Sequence, residues 1–293
     1  MSPRRILPVL LLMGICAAGI RAQEQVTLLA TIVDREKGTP VDTLTPADVR
    51  VSEDNQPATV TKVEAVLRQV KVQVLIDNGI GVGANSLSDF RSGVRNLVAA
   101  LPPDIETTIM TTAPQARTLV KATKSKDELL KGVDRLAPDS GTGRFVESLG
   151  EAIARATKEK DAFTVIICAA TTSGDGKILP AEMKRVVEPL QGGRPILIHV
   201  MLYSGVQSAL GGDIQVELGQ QVTKMTGGRY EYINNMNRYI TLLPELGAEV
   251  AKQVVGSSKQ FRITAQRPAG KKGKLGQLSM SAGANRVTNV RVE

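Results

Sequence analysis

The middle of the chain alternates continuous apolar runs with amphipathic segments, and this alternation constrains the fold more than any other feature. Residues 163–170 and 196–202 are almost entirely apolar. Such runs are typical of parallel strands whose two faces are both covered by helices. Around them, apolar residues recur every three or four positions, as amphipathic helices require. The pattern therefore predicts an α/β domain across residues 69–256, with a central, mostly parallel sheet between helices.

Both ends of the chain alternate apolar and polar residues with a period of two, which is typical of half-buried strands. The segment 23–68 shows this pattern, and the segment 257–293 repeats it at Phe261, Ile263 and Ala265. Each end has too few strands to form a stable sheet alone. We therefore expect the two ends to pack together as one small β-sandwich-like domain, with the α/β domain inserted between them.

The first 22 residues have the features of a secretory signal peptide. Arg4 and Arg5 supply a positive start, residues 6–20 are apolar, and the small residue Ala22 precedes the expected cleavage point. The apolar run is shorter than the roughly 20 residues that a membrane-spanning helix needs. We expect residues 1–22 to be removed, which leaves an exported, periplasmic or extracellular protein without a transmembrane span.

The positive charge of the chain is concentrated at its C-terminal end. The formal net charge is +8, and residues 259–293 hold eight Lys and Arg against one Glu. This region is a candidate contact for an anionic surface of the cell envelope. Aromatic residues make up only 3% of the chain and Trp is absent, so the stacking platforms of nucleic-acid-binding proteins are not expected.

The stretch 70–85 carries a strand that ends in an aspartate, a glycine loop and the start of a helix. Gly79, Gly81 and Gly83 lie between strand and helix, as in dinucleotide-binding folds. Their spacing departs from the G-x-G-x-x-G pattern, and the next strand ends at 111–113 without an acidic residue to bind a ribose. The sequence therefore predicts no nucleotide cofactor, and no other cofactor.

This stretch resembles the von Willebrand factor type A (VWA) family, in particular its bacterial exported branch. That branch carries a β-rich segment like LTPADVRVSEDNQPATVTKVEAV before the VWA domain, a late TGG as at Thr226-Gly227-Gly228, and strands afterwards as in KQFRITAQRPAG. The resemblance covers nearly all of residues 25–293. It implies a Rossmann-like VWA domain with a β-rich unit built from the two ends.

The family also implies a site for Mg²⁺ or a similar hard cation, and this sequence matches only part of it. The family places Asp-x-Ser-x-Ser at the end of its first strand and a threonine in a later loop. Asp77 matches the aspartate and Thr142 can match the threonine, whereas Gly79 and Gly81 replace both serines.

The last aspartate of the family's site is also displaced. It should follow the apolar strand, where Ala170 and Thr171 stand, and Asp175 comes several residues later. A hard cation requires oxygen ligands in near-ideal octahedral geometry. Because two hydroxyls and one carboxylate are lost, we predict no metal site, and Asp77 then bonds to loop amides.

Catalysis finds little support in the sequence. His199 is the only histidine and lies within an apolar run, which favours a core histidine bonded to a neighbour. Cys168 lies in an apolar strand and is expected to be inert. No nucleophile elbow or H-E-x-x-H motif occurs. The sequence therefore predicts a protein that is not an enzyme.

Two functions from different classes remain open. The first is a binding module that holds a protein partner at the carboxyl ends of the parallel strands, with helix N-termini near Ser86 and Gly143 attracting an acidic group. The second is an exported enzyme or small-ligand carrier that uses the glycine-rich loop 79–83. The residues assigned to the partner-binding loops are Asp77, Asn78, Gly79, Gly81, Gly83, Thr142, Thr171 and Asp175.

Overall fold

A computed structural model describes residues 23–37, 40–83, 86–159, 162–175, 180–191, 195–204, 212–283 and 285–292. The predicted signal peptide lies outside these residues. Within them, no helix has the length and apolar character needed to cross a membrane.

The described residues contain twelve strands and six α-helices. The strands are β1 (Gln25–Asp34), β2 (Arg50–Glu53), β3 (Gln56–Leu67), β4 (Gln69–Ile76), β5 (Glu106–Thr111), β6 (Arg117–Thr123), β7 (Ala162–Thr171), β8 (Ile196–Tyr203), β9 (Tyr230–Ile233), β10 (Lys259–Gln266), β11 (Leu278–Ser281) and β12 (Arg286–Val292). The helices are α1 (Leu87–Ala100), α2 (Lys126–Asp134), α3 (Phe145–Lys158), α4 (Pro180–Val187), α5 (Gly212–Thr226) and α6 (Arg238–Ser258).

The central sheet has the strand order β6-β5-β4-β7-β8-β9. All neighbouring strands in it are parallel except β5 and β6, which are antiparallel. The order reverses at β4, because β5 lies on one side of it and β7 on the other. Ligands of open α/β sheets bind beyond the carboxyl ends of the strands near such a reversal.

The sequence of β7 is continuously apolar because helices cover both faces of this strand. All ten of its residues are buried. Phe163 and Val165 pack with residues of α1, α2 and α6 on one face of the sheet. Ile166 and Cys168 pack with residues of α3, α4 and α5 on the other face. Since complete burial of one such aliphatic or aromatic side chain contributes roughly 1.5–3 kcal/mol, the two layers supply most of the stability of this domain.

The remaining six strands form an antiparallel sheet in the order β11-β2-β3-β10-β1-β12. This sheet curls, so that its two edge strands meet where the Thr288 hydroxyl donates to the carbonyl oxygen of Met280, at 3.2 Å. Leu28, Ile32 and Ile263 point to the enclosed side and are fully buried. The β-rich unit is therefore one curled sheet built from both ends of the chain.

The chain leaves and re-enters the antiparallel sheet at neighbouring positions. Strand β3 ends at Leu67, Arg68 alone separates it from β4, and α6 leads directly into β10. Leu67 and Lys259 are partners in the register of β3 and β10. The α/β domain is thus inserted between two paired strands, and the predicted fold class is confirmed.

Candidate functional site

Three loops meet beyond the carboxyl ends of β4 and β7. They comprise residues 77–83, 139–144 and 172–175, and together they are called the loop face here. A parallel bridge between Gly143 and Gly174 joins two of them. The convergence follows from the topology, since parallel neighbouring strands end at the same edge of a sheet.

Asp77 is at the centre of the loop face, and it is buried. Only 1% of its surface is exposed. The amide of Gly79 donates to Oδ1 at 2.8 Å, and the hydroxyl of Thr171 donates to Oδ2 in a short hydrogen bond. Burial raises the pKa of Asp77, and these hydrogen bonds oppose that rise. The carboxylate is therefore held by donors of the chain itself.

Glycines allow the loops to close tightly on this carboxylate. A Cβ atom on Gly143 would lie 2.4 Å from Oδ2 of Asp77. A Cβ atom on Gly81 would lie 2.5 Å from both Oγ of Ser173 and Oγ1 of Thr171. Both distances are far below van der Waals contact. Glycine is favoured at these positions because side chains of the neighbouring loops lie directly against the backbone there.

Asp175 folds back onto the start of α3. Its backbone has φ of 53°, a conformation unusual for a residue with a side chain. Both carboxylate oxygens accept from the amide of Val146 at 3.2 Å, and Nε2 of Gln215 donates to Oδ2 at 3.3 Å. Burial raises the pKa of Asp175 to about 6, and the nearby Asp77 adds to that rise. The N-terminus of α3 is therefore already bound to a carboxylate of the same chain.

Solved structures share this architecture. A von Willebrand factor type A protein from Catenulispora acidiphila aligns with a TM-score of 0.50 and 11% identity, over 93% of this chain and 74% of its own. The chain has a VWA fold. The protein BatB from Bacteroides thetaiotaomicron aligns with a TM-score of 0.47 and 17% identity, over 63% of this chain and 98% of its own. No protein-family model and no curated protein matches the sequence.

The VWA fold implies a divalent cation at the loop face, and the residues present do not fit one. Both oxygens of Asp77 accept hydrogen bonds from the chain, and its carboxylate is shielded by the backbone at Gly143. Thr142, the matched threonine, is exposed. In the described part of the chain, no group of three or more His, Cys, Asp or Glu is placed to bind a metal. The Thr171 hydroxyl instead contacts the carboxylate directly.

All residues assigned to the partner-binding loops lie on or just behind the loop face. They fall into a buried group and a group that is exposed or partly exposed. Asp77, Asn78 and Thr171 are at most 8% exposed, so their side chains contribute little to the surface of the loop face. Thr142 is exposed. The other buried positions are Gly79 and Gly81, and the partly exposed ones are Gly83 and Asp175.

One expectation about the loop face needs correction. The N-terminus of α3 is not free for an acidic partner, because Asp175 occupies it. Gly81, one of the positions assigned to the partner-binding loops, is buried against Ser173. The segments 84–85 and 176–178 of the predicted loops lie outside the described residues.

Tyr239 supports the loop face and was not singled out from the sequence. Its fully buried hydroxyl lies 2.9 Å from the carbonyl oxygen of Met201 and 3.1 Å from that of Ala170. Its ring meets the edge of Phe90 at a centroid distance of 4.8 Å. Tyr239 thereby ties α6 to the ends of β7 and β8. Only its position on the buried side of an amphipathic helix signalled this role.

The residues examined for catalysis lie in the core. The His199 ring is fully buried, and its Nδ1 accepts from the amide of Arg229 at 3.1 Å. This confirms a core histidine bonded to a neighbour. Cys168 is also fully buried, and burial raises the pKa of its thiol far above the usual range. A thiol that stays protonated is a poor nucleophile.

The basic C-terminal region is partly neutralised by acids of the same chain. Arg267 is buried and donates two hydrogen bonds to the buried Glu53, from Nε at 2.9 Å and from Nη2 at 2.7 Å. Lys271 pairs with Asp54 at 2.6 Å. Lys259 likewise pairs with Asp42, so at least three of the eight basic residues have acidic partners within the chain and contribute little to an anionic-surface contact.

Proposed function

We propose that the protein is an exported, non-catalytic VWA-type module that binds a protein partner at its loop face without a metal ion. One observation carries the proposal: both oxygens of the buried Asp77 carboxylate accept hydrogen bonds from the chain, from Gly79 and from Thr171. The loop face lies at the carboxyl ends of the strands, where this fold usually binds its partners. In this arrangement the centre of the loop face is closed to a bridging cation.

The chemistry of the site favours binding over catalysis. A general acid or base must reach a substrate within hydrogen-bond distance. Asp77 and His199 are at most 1% exposed. Asp77 accepts from the hydroxyl of Thr171, and His199 accepts from the amide of Arg229. The loop face instead presents backbone, exposed Thr142 and the exposed apolar side chain of Ile80.

The alternative, an enzyme or carrier that uses the glycine-rich loop 79–83, has less support. The amide of Gly79 donates to Asp77, that of Ile80 donates to Gly141 at 3.0 Å, and that of Val82 donates to Gly79 at 3.1 Å. A phosphate-binding loop needs such amides free to point at the ligand. Here three of them are used within the protein.

Photo-cross-linking in intact cells tests the proposed function. A photoreactive amino acid replaces Ile80 in one variant and Met225 in a control, because both side chains are similarly exposed, at 37% and 39%. Met225 lies near the end of α5 that is remote from the loop face. We expect one protein to be captured from position 80 only, in the presence and absence of EDTA. Equal capture from both positions, or loss of capture with EDTA, would contradict the proposal.

The exported state is tested separately. N-terminal sequencing of the protein from the cell envelope or medium should begin at Gln23, if residues 1–22 are a cleaved signal peptide. A product that retains Met1, or that stays in the cytoplasm, would contradict export. The basic C-terminal region is tested as a competing contact by Lys271→Glu combined with Lys272→Glu, which should leave partner capture unchanged.

A further inference from the structure

We propose that a small cleft on the loop face binds an apolar side chain of the partner that is adjacent to a lysine or arginine. The inference rests on the proposed function and specifies the partner's chemistry. The cleft has a volume of about 240 Å³. It is lined by Asn78, Gly79, Ile80, Val82, Gly83, Leu87, Pro138 and Asp139.

The cleft is preformed because hydrogen bonds fix its two walls to each other. The amide of Asp139 donates to the carbonyl oxygen of Asn78 at 2.8 Å, and Nδ2 of Asn78 donates to the carbonyl oxygen of Ala137 at 2.9 Å. The amide of Ile80 donates to Gly141. A preformed cleft binds with a smaller entropy cost than a flexible loop.

The lining of the cleft is suited to an apolar side chain. Val82 and Leu87 are buried at 3% and 5% exposure, and Ile80 and Pro138 are exposed. A volume of 240 Å³ is below the 300–1,000 Å³ that is typical of sites for drug-sized ligands. The space therefore fits one side chain of a protein partner better than a whole small molecule.

The charge beside the cleft selects a cation. Asp139 lines the cleft, and its Oδ1 accepts from the amide of Gly141 at 2.8 Å, which holds the carboxylate in place. Asp175 adds a second carboxylate to the loop face and occupies the α3 N-terminus. At the cleft itself, a lysine or arginine next to the inserted side chain gains an ion pair with Asp139, whereas a partner carboxylate in that position gains none.

In the ordinary VWA arrangement, a positively charged metal ion binds a carboxylate of the partner. Here a carboxylate of the loop face would bind a positively charged residue of the partner. Asp77 receives its hydrogen bonds from Gly79 and Thr171, which disfavours a bridging metal, and Asp175 occupies the N-terminus of α3. What remains is an apolar cleft beside a fixed carboxylate. The partner is recognised by a pair of residues, one apolar and one basic.

The test uses the full mature chain and an array of synthetic linear peptides. Each peptide carries a central Leu, Ile, Met or Phe flanked by Lys or Arg, by Gln, or by Glu. We expect basic-flanked peptides to bind about tenfold more tightly than the matched Glu-flanked ones, and the Ile80 methyl resonances to shift on binding. Preference for Glu-flanked peptides, or absence of binding by every basic-flanked peptide, would overturn the inference.

Two variants locate the binding. Ile80→Gln removes the apolar wall without adding charge, and Asp139→Asn removes the charge while keeping the oxygen that accepts from Gly141. Each should weaken binding of a basic-flanked peptide about five- to tenfold, and salt should weaken binding to the wild type more than to Asp139→Asn. Met225→Gln is the control and should have no effect. Unchanged affinity in both cleft variants overturns the inference.

The same variants distinguish failure of this inference from failure of the proposed function. If a partner cross-links at position 80 and binds equally well to Ile80→Gln and Asp139→Asn, the loop face binds it by other contacts and only the cleft is excluded. If no protein cross-links at position 80, the proposed function itself fails. Melting curves of each variant should match the wild type, since both side chains are at least partly exposed.

Discussion

The β-rich domain and the VWA domain each bury a carboxylate, and the two carboxylates are stabilised in opposite ways. Glu53 and Asp77 are each 1% exposed. Glu53 is bonded to the guanidinium of Arg267, and these hydrogen bonds lower its pKa to about 2. Asp77 is bonded to an amide and a hydroxyl, and burial raises its pKa. The comparison shows that the β-rich domain buries a charge with its counterion, whereas the VWA domain buries an acid with neutral donors.

Arg267→Met should give the largest loss of stability, because it leaves Glu53 buried without its cation. Arg267 also donates to the carbonyl oxygens of Gly273 and Lys274, so the loop 268–277 should become sensitive to proteases. Thermal and urea denaturation measure the effect. Lys271→Met, which breaks the partly exposed pair with Asp54, is the control and should change little. Equal effects of the two variants would mean that burial of the pair is unimportant.

Gly143→Ala should destabilise the VWA domain by about 1–3 kcal/mol, because the added methyl group would overlap the Asp77 carboxylate. Urea denaturation measures this loss. Gly83→Ala is the control, since nothing lies within 4 Å of its added Cβ and only its φ of 74° opposes the change. It should cost about 1 kcal/mol. A Gly143→Ala variant as stable as wild type would show that the loops close less tightly on Asp77.

Asp175→Asn should change the pH dependence of stability. Burial raises the pKa of Asp175 from its ordinary value of 3.8 to about 6 in the folded chain. Its contribution is thus fully present below about pH 4 and is lost as the pH rises to about 6. Above pH 6 the variant should be more stable than wild type, by at most roughly 2–3 kcal/mol, and at pH 4 the two should be equal.

Glu53→Gln gives the opposite slope and completes the comparison. Because the folded pKa of Glu53 is about 2, its stabilisation is present above about pH 4.5 and is lost as the pH falls toward 2. The variant should be less stable than wild type at pH 7, and the difference should shrink in acid. Urea denaturation at four pH values measures both variants. Slopes of the same sign would remove the contrast between the two domains.

The sequence was sufficient to predict the fold because the burial of a strand or helix determines the spacing of its apolar residues. The continuous apolar run 163–170 marked a strand covered on both faces, and the alternation at Phe261, Ile263 and Ala265 marked the β-rich unit. The end-to-end pairing of the chain followed from the shortage of strands at each end. These features depend on which residues are apolar, and that is visible without coordinates.

The candidate site was less predictable because its contacts are made across the sequence. Thr171 was predicted as a loop residue that stands in place of an aspartate, and its bond to Asp77 was not, yet its hydroxyl reaches that carboxylate 94 residues away. The return of Asp175 to Val146 depends on a φ of 53° that its residue type does not reveal. The burial of Gly81 was not visible in the sequence for the same reason: whether Gly81 faces solvent or Ser173 depends on how two loops approach each other.

The smallest expected effect is that of magnesium, and it tests whether neutral donors have replaced a cation at Asp77. A cation that binds only the folded state stabilises it by RT ln(1 + [L]/Kd), so ~10 mM Mg²⁺ at a site with Kd of ~100 μM would add about 2.7 kcal/mol. We expect no change in melting temperature relative to NaCl of equal ionic strength, because both oxygens of Asp77 already accept hydrogen bonds from Gly79 and Thr171. A rise that is absent in Asp77→Asn would show that the loops open to admit a metal. A rise that persists in Asp77→Asn would place the cation elsewhere, which leaves the difference between Asp77 and Glu53 intact.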